Sequence, residues 1–173
     1  MRSTWAACTA LAGALLALPS PARAESSDEY TARVYHERAE AGDAEAQRAL
    51  GAMYAMGRWV KQDPAKARVW WRKAAEQGDL ESQVHLAQAL SEGTGGAKDP
   101  AGAVRWWRAA AEQDHAIAQY NLAVMYAQGR GVERDRDEAA RRLRLAAEQG
   151  VGAAEQKLAM LDAAALGDGL AAR

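Results

Sequence analysis

The residues of this chain best equipped for chemistry are three histidines, His36, His85 and His115, an abundance of carboxylates and one glycine-rich stretch ending in a lysine. A catalytic zinc site would need histidines at helical spacing, as in His-x-x-x-His, with an acidic partner beside them. These three are scattered over the chain without that spacing, so they are expected to be surface or partly buried side chains, with no metal. Gly93-Thr94-Gly95-Gly96-Ala97-Lys98 has the glycines of a phosphate cradle. A P-loop, however, needs Gly-Lys followed by Ser or Thr, after a strand. Here Ala97 precedes the lysine and Asp99 follows it, which reads as a turn between helices. Neither Ser-x-x-Lys nor Gly-x-Ser-x-Gly occurs downstream of residue 24. Glu76, Glu112 and Glu148 recur at one interval, as do Gln77, Gln113 and Gln149. A catalytic group is needed once, so recurrence assigns these residues a structural role. No catalytic residue and no cofactor is expected.

The recurrence itself organises the chain. Ala74-Ala75-Glu76-Gln77-Gly78 returns at Ala110-Ala111-Glu112-Gln113-Asp114 and at Ala146-Ala147-Glu148-Gln149-Gly150, a period of 36 residues. A period of this length means one supersecondary unit stacked on itself. Within a unit, Ala46, Leu50 and Tyr54 lie four apart on one helical face, and Gly57 supplies a left-handed stop. A second helix opens at Asp63-Pro64 and again at Asp99-Pro100, with Asp as the cap and Pro at the first helical position. Asp135-Arg136-Asp137-Glu138 keeps the cap and sets Glu138 for a capping box. Neighbouring residues on a helix point about 100° apart, so Trp71 and Trp107 are expected in the core and Trp70 and Trp106 at its edge. The expected organisation is a half-repeat over 28–42, repeats over 43–78, 79–114 and 115–150, a half-repeat over 151–166 and a loose tail over 167–173. Seven helices are expected.

This pattern resembles the Sel1-like repeat family, relatives of tetratricopeptide repeats. The matching segments are Ala44-Glu45-Ala46-Gln47, Leu50-Gly51-x-x-Tyr54-x-x-Gly57, Lys66-Ala67-x-x-Trp70-Trp71-x-Lys73-Ala74-Ala75-Glu76-Gln77-Gly78 and Gly129-Arg130-Gly131-Val132. The resemblance implies an all-α fold, a right-handed superhelical solenoid of helix pairs that acts as an adaptor for other proteins. Some members of the family carry paired cysteines and are linked to β-lactam binding; without such cysteines, that activity is not expected here. The chain departs from the pattern at Trp59, which replaces a loop glycine, and in the Gly93–Lys98 loop. It departs again at Asp114-His115, where Asp114 would have to take a left-handed conformation.

The first 24 residues read as a secretory signal peptide. Arg2 precedes a short apolar stretch, Pro19 breaks it, and Ala22-Arg23-Ala24 offers small residues for cleavage. Cleavage would remove two of the 22 basic residues and none of the 23 acidic ones, leaving a net charge of −3. No basic block is then left as a nucleic-acid footprint. The single cysteine, Cys8, lies inside the leader with too little apolar sequence before it for a lipid anchor. No stable membrane anchor is expected after cleavage. The protein should be exported, to the periplasm of a Gram-negative bacterium or beyond.

In helix-pair solenoids the first helices line an extended binding surface. Opposite Leu50 on the helical wheel stand Glu45, Arg48, Ala52 and Met56. The second unit offers Glu81, Val84, Gln88 and Glu92, and the third Ile117, Tyr120, Val124 and Gln128. The face grades from charged to apolar, and apolar residues on a wet face point to a contact. Two accounts of Ile117, Tyr120 and Val124 stay open: a peptide or protein anchor, or coverage by the helix from Val151 or by a superhelical bend. The favoured function is an exported, non-enzymatic interaction scaffold for a protein or peptide partner. The alternatives are an envelope hydrolase acting on cell wall or β-lactam, and a secreted host-directed effector.

Overall fold

The computed structural model describes residues 26–171, with side chains through Ala163, so the expected leader lies outside the described residues. Eight helices follow one another: α1 (Ser27–Glu40), α2 (Ala44–Met56), α3 (Pro64–Glu76), α4 (Leu80–Glu92), α5 (Pro100–Glu112), α6 (Ala116–Gln128), α7 (Arg136–Glu148) and α8 (Gly152–Ala171). Three pairs plus one single helix at either end make eight, correcting the expected seven. α8 runs past Leu166, so 167–171 is helical and not a tail. Gly167 and Gly169 weaken a helix by about 1 kcal/mol each without supplying a stop.

Backbone satisfaction explains why the unit repeats. First helices are capped by Asp43, Asp79 and, in the third unit, His115, whose Nδ1 accepts from the Ala118 N–H at 3.2 Å. They end on Gly57, Gly93 and Gly129 at φ of 70°, 82° and 67°. Second helices are capped by Asp63, Asp99 and Asp135, whose own N–H groups donate to the Tyr54, Leu90 and Tyr126 carbonyls. Since the Asp135 N–H is already taken, Glu138 forms no capping box; its carboxylate pairs with Arg141 and Arg142. A capping box does form at Ser26 and Glu29, at the start of α1.

Alanines make the helix spacing tight. Ala46, Ala67, Ala74, Ala103, Ala110, Ala118, Ala139 and Ala146 are fully buried around Leu50, Leu86, Leu122 and Leu143. Each buried leucine stabilises the fold by about 1.5–3 kcal/mol. Trp71 and Trp107 enter this core as expected, but Trp70 is buried as well, its ring meeting His36 of α1 edge-on at 5.6 Å. Trp106 remains half-buried; the position on α3 that corresponds to His36 is the exposed Arg72, which offers no ring to pack on. Trp59 takes φ 63°, close to the 73° and 71° of Gly95 and Gly131. It therefore keeps the left-handed backbone of the other two loops, with the ring half-buried on the core.

One buried motif ties units together. Gln47, Gln83 and Gln119 accept from the Nε2 of Gln77, Gln113 and Gln149 at 2.7, 2.8 and 2.9 Å. Gln47 and Gln83 donate in turn to the Ala39 and Ala75 carbonyls at the end of the preceding helix. The recurrent glutamines are thus a hydrogen-bonded ladder along the solenoid.

Candidate functional site

The first helices α4 and α6 stand side by side with an open pocket of about 290 Å³ between them. Five of the residues singled out from sequence line it: Val84, Gln88 and Glu92 from α4, Ile117 and Val124 from α6. Ile117 is 47% exposed, while Val84 and Val124 are half-buried at its wall. Gln88 donates to Glu92 at 3.0 Å, holding both polar ends on one side. Ser91, Asn121 and Arg130 add polar groups, and Trp107 and Met125 form the apolar floor. The arrangement is apolar at its centre with hydrogen-bonding groups and one charge of each sign, Glu92 and Arg130, around it.

The other residues named from sequence go elsewhere. Tyr120 packs with Leu158 and Leu161 against the C-terminal cluster of Ala123, Ala139, Leu143, Ala146 and Ala154, so coverage by α8 is the outcome for this ring. Arg48 turns to the unit junction, its Nε 3.5 Å from Asp79 Oδ2. Glu45, Met56, Glu81 and Gln128 are exposed outside the pocket.

A groove between neighbouring helices is lined by opposite flanks of the two. α4 contributes the flank bearing Val84 and Ser91; α6 contributes the one bearing Ile117, Asn121 and Met125. Tyr120 corresponds to Val84 and hence faces onward to α8. Among the lining residues, equal positions of the two units meet only at Gln88 and Val124. An i, i+4, i+7, i+8 stripe read from Ile117 finds Asn121, Val124 and Met125, and the same stripe from Val84 finds Gln88, Ser91 and Glu92.

The next junction toward the amino end is filled. His85, which corresponds to Asn121, stacks on Trp71 at 4.9 Å between ring centres. Burial lowers the His85 pKa from its usual value; Arg48 adds to that effect, and Glu81 and Asp79 oppose it. Among the described residues no group of three or more His, Cys, Asp or Glu could hold a metal ion, and no helix is long and apolar enough to cross a membrane.

Comparison with known proteins agrees with this architecture. The Sel1 repeat pattern matches residues 44–79, 80–115 and 116–151. No curated protein matches the chain. Among solved structures, a protective antigen of uropathogenic Escherichia coli displaying an SLR fold is 32% identical with a TM-score of 0.73, over 77% of this chain and 28% of that one. A Sel1 repeat protein from Oxalobacter formigenes is 34% identical with a TM-score of 0.71, over 75% of this chain and 54% of that one. The chain therefore spans about a quarter and about half of the lengths of these two. Helicobacter pylori cysteine rich protein B, 17% identical with a TM-score of 0.57, shares the fold, over 77% of this chain and 98% of that one. Sel1 repeat proteins generally mediate protein–protein interactions. With three consecutive matches over most of its described helices, this chain belongs to the Sel1 repeat family.

Proposed function

We propose that this protein is an exported, non-enzymatic interaction scaffold that seats a peptide segment of a protein partner between α4 and α6. The observation that carries the reading is the open pocket where Ile117 and Val124 stand beside Val84 with polar groups at the rim. Capping and ladder bonds fix the backbone on both sides, so little ordering cost is left for binding. Export is supported by the leader-like Arg2, the apolar stretch after it and Ala22-Arg23-Ala24. The periplasm is the proposed destination.

The test is affinity capture from an envelope extract with the chain from Glu25 onward, followed by mass spectrometry. Ile117→Glu installs the residue that Glu45 and Glu81 place at the same helical position, and Val124→Gln does the same for Gln88. Both variants should keep the helical circular dichroism of the parent and lose the captured partner. Capture unaffected by either change would refute the groove. Turnover of nitrocefin or muropeptide, abolished by a point substitution, would refute the non-enzymatic reading.

A further inference from the structure

A second opening lies on the second-helix side, between α3 and the Gly93–Lys98 loop, with a volume of about 560 Å³. Its wall is cationic and apolar at once. Arg68, Arg72 and Lys73 project from α3 around Val69, which is 55% exposed, with one carboxylate, Glu76, at the far end. Arg68 and Arg72 stand one helical turn apart, about 5–6 Å between Cβ atoms. Arg68 is anchored by donating to the Ala97 carbonyl at 3.0 Å, and Lys73 rests over the Trp70 ring at 4.0 Å. Arg72 is exposed and has no carboxylate partner among the described residues.

Among the described residues this combination occurs at one unit junction, between α3 and the loop after α4. At the loop position that Gly96 occupies, the other units carry Val60 and Val132, both packed on the core. At the helix position of Arg68, the helices preceding those two loops across the junction carry Ala32 on α1 and Val104 on α5. A Cβ on Gly96 would lie 2.8 Å from Arg68 Nη1. Glycine in the loop and arginine on the helix therefore change together: the guanidinium takes the space over Gly96 and opens toward solvent.

We propose that this cleft is a second binding site, one that takes an acidic peptide segment with an apolar residue next to its carboxylates. Arginine presents a planar fork of donors, so Arg72 and the remaining donors of Arg68 can grip carboxylates side-on. Val69 and Ala65 give the neighbouring apolar side chain a surface to leave water. The volume falls in the range of ligand sites, about 300–1,000 Å³. The apolar wall and Glu76 argue against a phosphate backbone as the occupant. This site stands apart from the groove between α4 and α6, and neither depends on the other.

A short fluorescein-labelled peptide alternating glutamate and leucine, titrated by polarisation against the chain from Glu25 onward, tests the assignment. The expected result is saturable binding that weakens with salt and falls at least about tenfold for the glutamine counterpart. Arg72→Glu should weaken binding by a similar factor. Gly96→Val, which installs the residue of Val60 and Val132 and displaces only the end of a flexible side chain, should do the same while the thermal melt stays that of the parent. Ile117→Glu should leave binding unchanged. Absence of binding by the parent chain, equal binding by the glutamine peptide, or full binding by Gly96→Val and Arg72→Glu overturns the proposal. So does loss of binding in Ile117→Glu alone. A single-stranded oligonucleotide that bound as well as the acidic peptide would assign the cleft to phosphate and overturn it too.

Discussion

Replacing Gln83 with alanine should cost far more than replacing its partner Gln113, although the two share one hydrogen bond. Gln83 is 5% exposed and bridges three helices: it accepts from Gln113 Nε2 at 2.8 Å and donates to the Ala75 carbonyl at 3.4 Å. Ala75 is itself buried. Truncation removes the 2.8 Å bond, a net contribution of about 0.5–1.5 kcal/mol, and orphans a buried carbonyl at about 1–3 kcal/mol. The long 3.4 Å bond places the second figure near its lower end. A small cavity adds to both, so Gln83→Ala should destabilise by about 2–4 kcal/mol. Gln113 is exposed, so its truncation lets water reach the Gln83 Oε1 it leaves behind, and Gln113→Ala should cost about 1 kcal/mol or less. Gln83 lies in the central unit, where fraying of an end helix cannot absorb the loss.

The assay is urea unfolding followed by helical circular dichroism, with a thermal melt beside it. Gln83→Ala should lower the midpoint with an unchanged slope and reduce Tm by on the order of 10 °C. Combining both substitutions should cost less than the sum of the two, since the shared bond is lost only once. Equal costs for the two single variants, or a Gln83→Leu variant as stable as the parent, would refute the ladder as a source of stability.

Three further outcomes follow from single residues. Gly51→Ala should destabilise by about 1–3 kcal/mol, because the new Cβ would lie 2.5 Å from the Trp71 indole, itself pinned against His85; an unshifted urea midpoint would show that the indole can move. Asp114→Gly should stabilise by about 0.5–1 kcal/mol, since Asp114 sits at φ 60° where the other junctions have Gly42, Gly78 and Gly150, and a melt that fails to rise would count against strain there. The lowered His85 pKa means that the unfolded chain takes up this proton more readily than the folded one. Stability from His85 is therefore present above its ordinary value of 6.5 and is lost as pH falls below it. The parent's Tm should drop between pH 7.5 and 5.5 by more than that of His85→Phe, and equal drops would remove His85 from the account.

The elements legible in the sequence are those whose signals are local. Asp63-Pro64, Asp99-Pro100 and the stops at Gly57, Gly93 and Gly129 sit where helices begin and end, because capping is a bond between residues three or four apart. What lay hidden depends on the neighbour across a gap. Trp70 is buried because α1 brings His36 to it, a fact absent from the wheel of α3. Tyr120 faces α8 and Ile117 faces α4 for the same reason: two flanks of one helix belong to two different junctions. In sequence the Gly93–Lys98 loop is indistinguishable from a simple turn, because its partner, Arg68, lies 29 residues away.

Differences between the copies support the two proposed sites. The interior of each unit makes the same demand, and Gln47, Gln83 and Gln119 answer it alike by accepting from Gln77, Gln113 and Gln149, as do Asp63, Asp99 and Asp135 by capping the second helices. A partner touches the array at one place, so the residues that meet it are under no such demand to repeat. Ile117 stands where Glu45 and Glu81 stand in the other units, and Gly96 where Val60 and Val132 stand. Both lie at openings, and both differ from residues the same backbone position already accepts. Exchanging one copy's residue for another's therefore changes the surface at a site while the fold keeps a side chain it is known to tolerate. Loss of groove binding in Ile117→Glu and of cleft binding in Gly96→Val, each with an unchanged melt, would locate two sites without invoking misfolding. If each exchange left its own site intact, divergence between copies would carry no functional information in this solenoid.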